Sequence, residues 1–386
     1  MPRRVPEVYT SGPSDSASSS TADPVAQVND SVIATVSALA DHDRFDALID
    51  VRSPAEFAED HMPGAINCPV LDDEQRARVG TLYKQQGAFE ARRIGGALAA
   101  RNIAVHVETV FADRPRGWKP LVYCWRGGQR SRSFTHVLRE IGWRAEQMEG
   151  GYRAYRRRVI DDLERLPATV TFHVICGRTG CGKSRLLREL VGLQAQVLDL
   201  EALARHRGSV LGDLPDSPQP AQKLFESSIW QALRGFDSAR PVFVEAESKR
   251  IGVLHVPDAL IARMRESPTL RLEASVAIRT RLLIDEYQHL IDDAPRLLDR
   301  LDCLRGLHPA STLEHWRALV EAGDWPLFVS TLLQQHYDSA YERSMFRNYA
   351  SHLEAPVIEL TGVDALSVRA AAIQALELSA ERKIAA

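Results

Sequence analysis

The chain has 386 residues, of which 45% are hydrophobic and 26% charged, with a formal net charge of -3. That length supports roughly two or three domains, each large enough to bury its own core, in a composition ordinary for globular proteins. A near-neutral chain is not one that coats nucleic acid generally. Its charge is uneven, however, with 12 Lys/Arg against 4 Asp/Glu from Asp113 to Arg158. This excess points to a confined anion-binding face, although a solvated helix face suffices for the run Arg156, Arg157, Arg158.

No apolar run approaches the roughly 18 residues a bilayer span needs, so no membrane is expected. The arginine pair at positions 3 and 4 lacks the following apolar segment of an export signal. Five cysteines is an odd number, spaced for neither a disulfide framework nor a zinc site. A reducing, cytoplasmic compartment is the natural reading.

Residues 1–30 are rich in Ser, Pro, Asp and Thr. Such a segment buries too little surface to offset its ordering entropy, and a disordered tail is expected. "FDALIDV" reads as a strand ending at Asp50, "SPAEFAEDH" as a helix start, and "GAINCPV" as a second strand. "PLVYC" is a third strand, running into a glycine loop and an amphipathic helix. "AEQMEGGYRAYRRRVIDDLERL" adds a short strand, a Gly-Gly turn and a helix. The pattern restarts with the strand "TVTFHVICG", followed by "KSRLLRELVGL" as a helix and by "AQVLDL" and "RPVFVEAES" as strands. From about Thr280 the text is mostly helical, with "APVIEL" a last strand. Strands alternating with helices imply parallel sheets covered on both faces, and the boundary between two domains falls around Leu163 to Ala168.

Cys124 ends an apolar strand and opens the loop "CWRGGQRS". Gly127 and Gly128 let successive backbone N–H groups turn inward, and the helix behind them aims its positive end at the same point. Arg126 and Arg130 add charge, and Gln129 and Ser131 complete the loop. A thiol at the mouth of this nest favours the thiolate, and the cradle suits thiosulfate, selenophosphate or a persulfide. Together with "LIDVRSPAEFAEDHMPGAINCPV", this loop resembles the rhodanese family over roughly residues 41–160. The resemblance rests on Asp50, Val51 and Arg52 and on the turn from His61 to Asn67. It implies that Cys124 carries sulfur or selenium covalently. Cys68, before Pro69 and away from any nest, reads as packing.

"GRTGCGKS" satisfies G-x-x-x-x-G-K-[ST]: Gly177, Arg178, Thr179, Gly180, Cys181, Gly182, Lys183, Ser184. It follows a strand and opens a helix, as a phosphate cradle requires. The backbone N–H groups surround phosphates, Lys183 reaches a terminal oxygen, and Ser184 can hold a metal ion. The cradle recognises a diphosphate and does not by itself establish ATP hydrolysis. Glu245 and Glu247 stand where an NTPase usually has Asp, and either assist magnesium or are ordinary strand-end carboxylates. In "DLEALARHRGS", Asp199 and Glu201 are candidate metal or base contacts and His206 and Arg207 candidate RNA or phosphate contacts. A lone histidine is equally at home as a structural residue. Ser248 and Arg250 stay open in the same way.

A cysteine-loop domain joined to a P-loop domain resembles the tRNA 2-selenouridine synthase family. "GTLYKQQG", "EGGYRAYR", "QKLFES", "VEAESKRIG" and "HYDSAYE" look like further segments of it. The fold class this implies is α/β: a rhodanese-like parallel-sheet domain at 31–165, then a P-loop NTPase-like domain at 166–386 with a mainly helical C-terminal part. The resemblance further implies a two-stage exchange on tRNA bearing 2-thiouridine at the wobble position. The sulfur is alkylated by geranyl diphosphate, and selenium from selenophosphate, carried on Cys124 as an S-selanyl species, displaces it. No tightly bound cofactor is expected beyond these co-substrates, with magnesium left open. The competing expectations are a P-loop kinase or ATPase with a rhodanese-like regulatory module, and a non-catalytic sulfur-relay protein.

Overall fold

The computed structural model describes residues 33–34, 44–209, 211–214, 216–349 and 353–384. The tail expected at 1–30 lies outside them. Five short strands form the first sheet: β1 (Ile33–Ala34), β2 (Ala47–Asp50), β3 (Ala65–Asn67), β4 (Pro120–Tyr123) and β5 (Glu146–Met148). Their order is β1-β5-β4-β2-β3, and every pairing is parallel. The chain leaves β2 outward to β3 and returns on the other side as β4. This reversal opens a crevice at the carboxyl ends of β2 and β4, where an open parallel sheet binds ligands. Asp50 and Cys124 stand at those ends.

The helices of this half include a pair the sequence pattern did not announce, Asp73–Gln86 and Ala88–Thr109, joined at Gly87. Neither carries a strong apolar stripe. The first buries no residue and the second only Ala91 and Ile103, so helical periodicity had little to register.

The second sheet is built from β6 (Phe172–Cys176), β7 (Gln196–Leu198), β8 (Val242–Glu245), β11 (Thr269–Glu273) and β12 (Val357–Glu359). A small antiparallel hairpin, β9 (Arg250–Ile251) with β10 (Leu254–His255), interrupts them in sequence. The order is β12-β11-β6-β8-β7, again all parallel. β6 is central and fully buried, and its loop sits at the switch point. β11 had also gone unread: "TLRLE" is short and carries charges at alternate positions, although Leu270 and Leu272 are buried. Between Val276 and Asn348 the chain is almost wholly helical.

The helix Gly151–Arg165 connects the halves. Tyr152, Tyr155, Val159 and Leu163 on it share one apolar core with Met148 of the first sheet, Phe172 of the second, and Phe225, Trp230 and Leu260 on the helices Gln222–Gly235 and Asp258–Glu266. Polar contacts fix the same joint. Trp230 Nε1 donates to Asp162 Oδ2 at 3.0 Å, Arg156 pairs with Glu226, and Lys223 pairs with Glu59 at 2.6 Å. Truncating one buried aromatic in such a core costs roughly 3–5 kcal/mol. Among the described residues no helix is long and apolar enough to cross a membrane.

Candidate active site

Cys124 is 3% exposed at the end of β4. Its Sγ accepts the Gly128 N–H at 3.3 Å and lies 3.2 Å from Ser131 Oγ. The helix Gln129–Ile141 starts at this point with Gly128 as its N-cap and no capping side chain, so the positive end of the helix lies at the cysteine loop. The loop is braced from behind by residues the sequence did not single out. Gln147 Nε2 donates to Gly127 O at 2.6 Å and to Ser131 Oγ at 3.0 Å. Tyr152 N–H donates to Cys124 O at 2.8 Å, and Arg153 N–H to Trp125 O at 3.0 Å.

These contacts demand glycine at Gly151. Its φ is +55°, and a Cβ there would lie 2.2 Å from Cys124 O and 2.6 Å from Gly127 N. Two backbones touch with no side chain between them. Beneath the loop, Arg52 pairs with Asp50 at 2.6 Å, both fully buried, and lies 4.0 Å from the Tyr152 ring centroid. The strand-end Asp-Val-Arg thus supports the helix that holds the cysteine loop.

The two arginines expected to charge the nest differ. Arg126 is exposed and makes no ion pair among the described residues. Arg130 is matched by Glu56 at 2.8 Å, and Glu56 also meets Arg76 at 3.1 Å. Burial raises the Glu56 carboxyl, but the Arg130 contact outweighs it and holds the group below its ordinary range. Gln129 is exposed at the first helical position. Cys68 is fully buried, and burial beside Asp50 pushes its thiol up to about 12. Burial also pushes Cys176 to about 12 and raises Cys181. All five cysteines are free.

The second loop, Gly177 to Ser184, follows β6 and opens the helix Lys183–Gly192. Lys183 Nζ donates to Gly177 O at 2.9 Å, and Ser184 Oγ donates to Glu201 Oε2 at 3.0 Å. Arg279, fully buried and unmarked in the sequence reading, donates to Thr179 O at 2.8 Å and to Asp338 Oδ2 at 3.0 Å. Gly180 has φ +78°, and a Cβ there would meet Leu283 at 2.8 Å. Arg178 faces outward to Glu342 at 2.7 Å.

Three glutamates gather at this loop. Glu245 Oε1 accepts the Glu201 N–H at 2.9 Å. The carboxylates of Glu201 and Glu247 flank Gly208, where a Cβ would sit 2.9 Å and 3.1 Å from them. Burial, then mutual repulsion, lifts Glu245 well above the carboxylate range, and burial with Glu201 takes Glu247 to about 8. Glu201 and Asp199 are raised, burial being the largest cause. Lys183 is raised too: burial opposes its charge, but Cys181 and the three glutamates prevail. Among the described residues no group of three or more His, Cys, Asp or Glu is arranged to hold a metal ion.

The remaining candidates lie around this centre in structural settings. Asp199 caps the helix Leu200–Ala204 through Ala202 N–H at 2.8 Å. His206 accepts the Gly208 N–H at 3.1 Å and meets Asp213 at 3.1 Å. Arg207 lies 4.7 Å from the Tyr287 ring centroid. Ser248 and Arg250 bond within their own hairpin, to Arg250 O and Gly252 O.

An almost wholly apolar cavity reaches the phosphate loop. Its free volume is about 50 Å³, and it is lined by Thr179 with Leu211, Leu283, Tyr287, Trp325 and Phe328. A larger, more polar cavity of about 530 Å³ lies beside Gly177, with Arg178, Arg271, Glu273 and Tyr341 on its walls.

Comparison with known proteins matches both halves in order. The rhodanese-like domain model fits residues 33–158, and the model described as the tRNA 2-selenouridine synthase AAA domain fits residues 170–302. A tRNA 2-selenouridine synthase of Alcanivorax borkumensis is 39% identical over 246 residues, 62% of this chain and 66% of that protein. Its namesake in Bdellovibrio bacteriovorus is 35% identical over 277 residues, 67% of this chain and 70% of that one. The Sulfurovum relative is 30% identical over 348 residues, 80% of this chain and 93% of that one. The chain therefore spans slightly less than two thirds of the first relative and a larger share of the other two. With an α/β fold in which a cysteine-loop sheet precedes a P-loop sheet, and with relatives matched across both, the chain belongs to the tRNA 2-selenouridine synthase family.

Proposed function

We propose that the chain exchanges the sulfur of a wobble 2-thiouridine in tRNA for selenium, in two stages run at the two loops. At Gly177–Ser184 the loop amides and Lys183 hold the diphosphate of geranyl diphosphate. The thiocarbonyl sulfur attacks the first carbon of the chain, a sulfur–carbon bond forms, and diphosphate leaves against Lys183. Alkylation turns a poor leaving group into a thiolate. The Cys124 thiolate takes selenium from selenophosphate: a sulfur–selenium bond forms and the selenium–phosphorus bond breaks, its electron pair leaving on phosphorus as phosphite. That selenium then attacks C2 of the base, and the alkylated sulfur departs as its thiolate. An external thiol cleaves the remaining sulfur–selenium bond to release selenouridine, and a second thiol frees Cys124 from the mixed disulfide. Five free thiols suit a reducing, cytoplasmic setting, with selenophosphate supplied from outside the chain.

The observation that carries this reading is the apolar cavity that meets the phosphate loop at Thr179. A loop that cradles phosphates and borders an apolar cavity suits a diphosphate whose hydrocarbon chain parts the side chains that line the cavity. Hard oxygen donors at Ser184 and Glu201 suit magnesium, which would supply charge neutralisation to the diphosphate. The polar cavity beside Gly177 favours a second reading, a P-loop kinase or ATPase with a rhodanese-like module.

Nucleoside mass spectrometry separates the two. The protein is incubated with 2-thiouridine tRNA, geranyl diphosphate and selenophosphate, with and without Cys124→Ala. Selenouridine from the wild type and geranylated thiouridine accumulating in the variant are expected. No modified base in either, alongside RNA-independent ATP turnover, would replace this proposal with the kinase reading.

A further inference from the structure

The helical pair Asp73–Gln86 and Ala88–Thr109 has no role in either stage, yet it carries "GTLYKQQG", one of the segments that resembles the family. Its two helices pack close enough for a Cβ on Gly95 to meet Val79 at 3.3 Å. Away from that seam the distal end is bare. Tyr83 is 61% and Phe89 74% exposed, and Lys84, Gln85 and Gln86 between them are exposed as well. A segment that packs on nothing gains no stability from two exposed aromatics.

The distal end is also basic. Residues 78–93 hold four Lys/Arg and one Asp/Glu, and with Arg93 paired to Glu90 at 2.7 Å the cations left are Arg78, Lys84 and Arg92. Its root is tied to the cysteine loop. Arg76, about three turns before the joint at Gly87, shares Glu56 with Arg130, and Asn102 Nδ2 donates to Gln75 Oε1 at 2.7 Å and to Val70 O at 3.0 Å. Whatever the tip holds is therefore held at a fixed offset from Cys124.

We infer that this hairpin is an RNA-gripping arm that presents a single-stranded tRNA loop to Cys124. Tyr83 and Phe89 stack on unpaired bases, and Arg78, Lys84 and Arg92 meet the adjoining phosphates. Exposed aromatics interleaved with Lys, Arg and Gln are the chemistry that binds unpaired nucleotides. An acidic or apolar protein partner would not need both. The inference rests on the reading of tRNA as substrate.

The test is fluorescence anisotropy with a labelled, unmodified tRNA transcript across a salt series. It compares the wild type with a Tyr83→Ala, Phe89→Ala double variant and a Lys84→Glu, Arg92→Glu double variant. The aromatic pair is expected to weaken binding by roughly tenfold or more. The charge pair should weaken it and flatten the salt dependence. Melting temperature and Cys124 alkylation rate stay unchanged, because the altered side chains are exposed. Wild-type affinity in both variants would overturn the arm, as would unchanged affinity with a shift in self-association on sedimentation. Failure of the wild type itself to bind tRNA would instead sink the substrate assignment on which the arm rests.

Discussion

The cysteine loop and the phosphate loop share a plan and differ in what surrounds it. Each follows the buried strand at the switch point of a parallel sheet, turns through glycines of positive φ, and ends on a helix N-terminus. Around Cys124 the neighbours are basic or neutral: Arg126, the matched Arg130, Gln147 and Ser131. Around Lys183 they are acidic, with Glu245 buried and Glu201 and Glu247 half-buried beside it. The same backbone device therefore offers two electrostatic services. In the proposed reaction the first takes an anion onto a nucleophile. In the same reaction the second restrains an anion against a lysine set among carboxyl groups whose ionisation opposes the ligand. Binding is therefore favoured while Glu245 and Glu247 keep their protons or when the ligand brings compensating cations or apolar binding energy.

The largest effects should come from cutting one loop while leaving the other. Cys124→Ser is expected to lower selenium incorporation by roughly 10³-fold or more, with geranylation unchanged. Lys183→Ala should reduce geranylation by roughly 10²-fold and spare selenation of tRNA geranylated beforehand. Nucleoside mass spectrometry reads both. If Lys183→Ala abolished selenation of pre-geranylated tRNA, the division of labour between the loops would be wrong.

The loops also differ in how tightly they are built. At Gly151 an added methyl meets backbone, Cys124 O at 2.2 Å, whereas at Gly180 it meets the Leu283 side chain first, Cγ at 2.8 Å, and backbone only at Arg279 O, 3.3 Å away. Both positions carry the cost of positive φ in a residue with a Cβ, roughly 1–3 kcal/mol. Only the first forces two main chains apart. Gly151→Ala should therefore lower the urea midpoint more than Gly180→Ala, and slow alkylation or selenation at Cys124 at least roughly tenfold. Equal destabilisation by the two substitutions would remove the claim that the cysteine loop is the more rigid nest.

Most of this plan was legible in the residues. Apolar runs closed by "CWRGGQRS" and "GRTGCGKS" marked β4, β6 and the two loops, because glycine and charge interrupt a strand in a way periodicity detects. The bracing was not legible. Gln147 and Arg279 are polar residues in unremarkable positions, and only the fold brings Gln147 to Gly127 O and Arg279 to Thr179 O. The hairpin 73–109 escaped notice because it scarcely contributes to a core. β11 escaped because Arg271 and Glu273 break up its apolar run. The apolar cavity at Thr179 is assembled from the helices after Val276, whose leucines look alike in sequence whether they line a cavity or fill a core.

The smallest effect tests the acidic side of the comparison directly. Burial and Glu201 raise the Glu247 carboxyl to about 8, well above its ordinary value of 4.5. Across that window the folded chain binds a proton that the unfolded chain has lost, so this group's contribution to stability falls as pH rises and levels off above about 8. Glu247→Gln removes the contribution. The variant should lose less stability between pH 5 and pH 8.5 and should melt roughly 5 °C higher than the wild type at the upper end. Some slope remains, because Asp199, Glu201 and Glu245 are raised in the same direction. Diphosphate affinity should fall in the wild type as pH passes 8, since the ionised carboxylate then opposes the ligand's charge, and fall less in the variant. Parallel pH profiles of melting temperature and affinity in the two proteins would mean that Glu247 does not set the electrostatics of the phosphate loop.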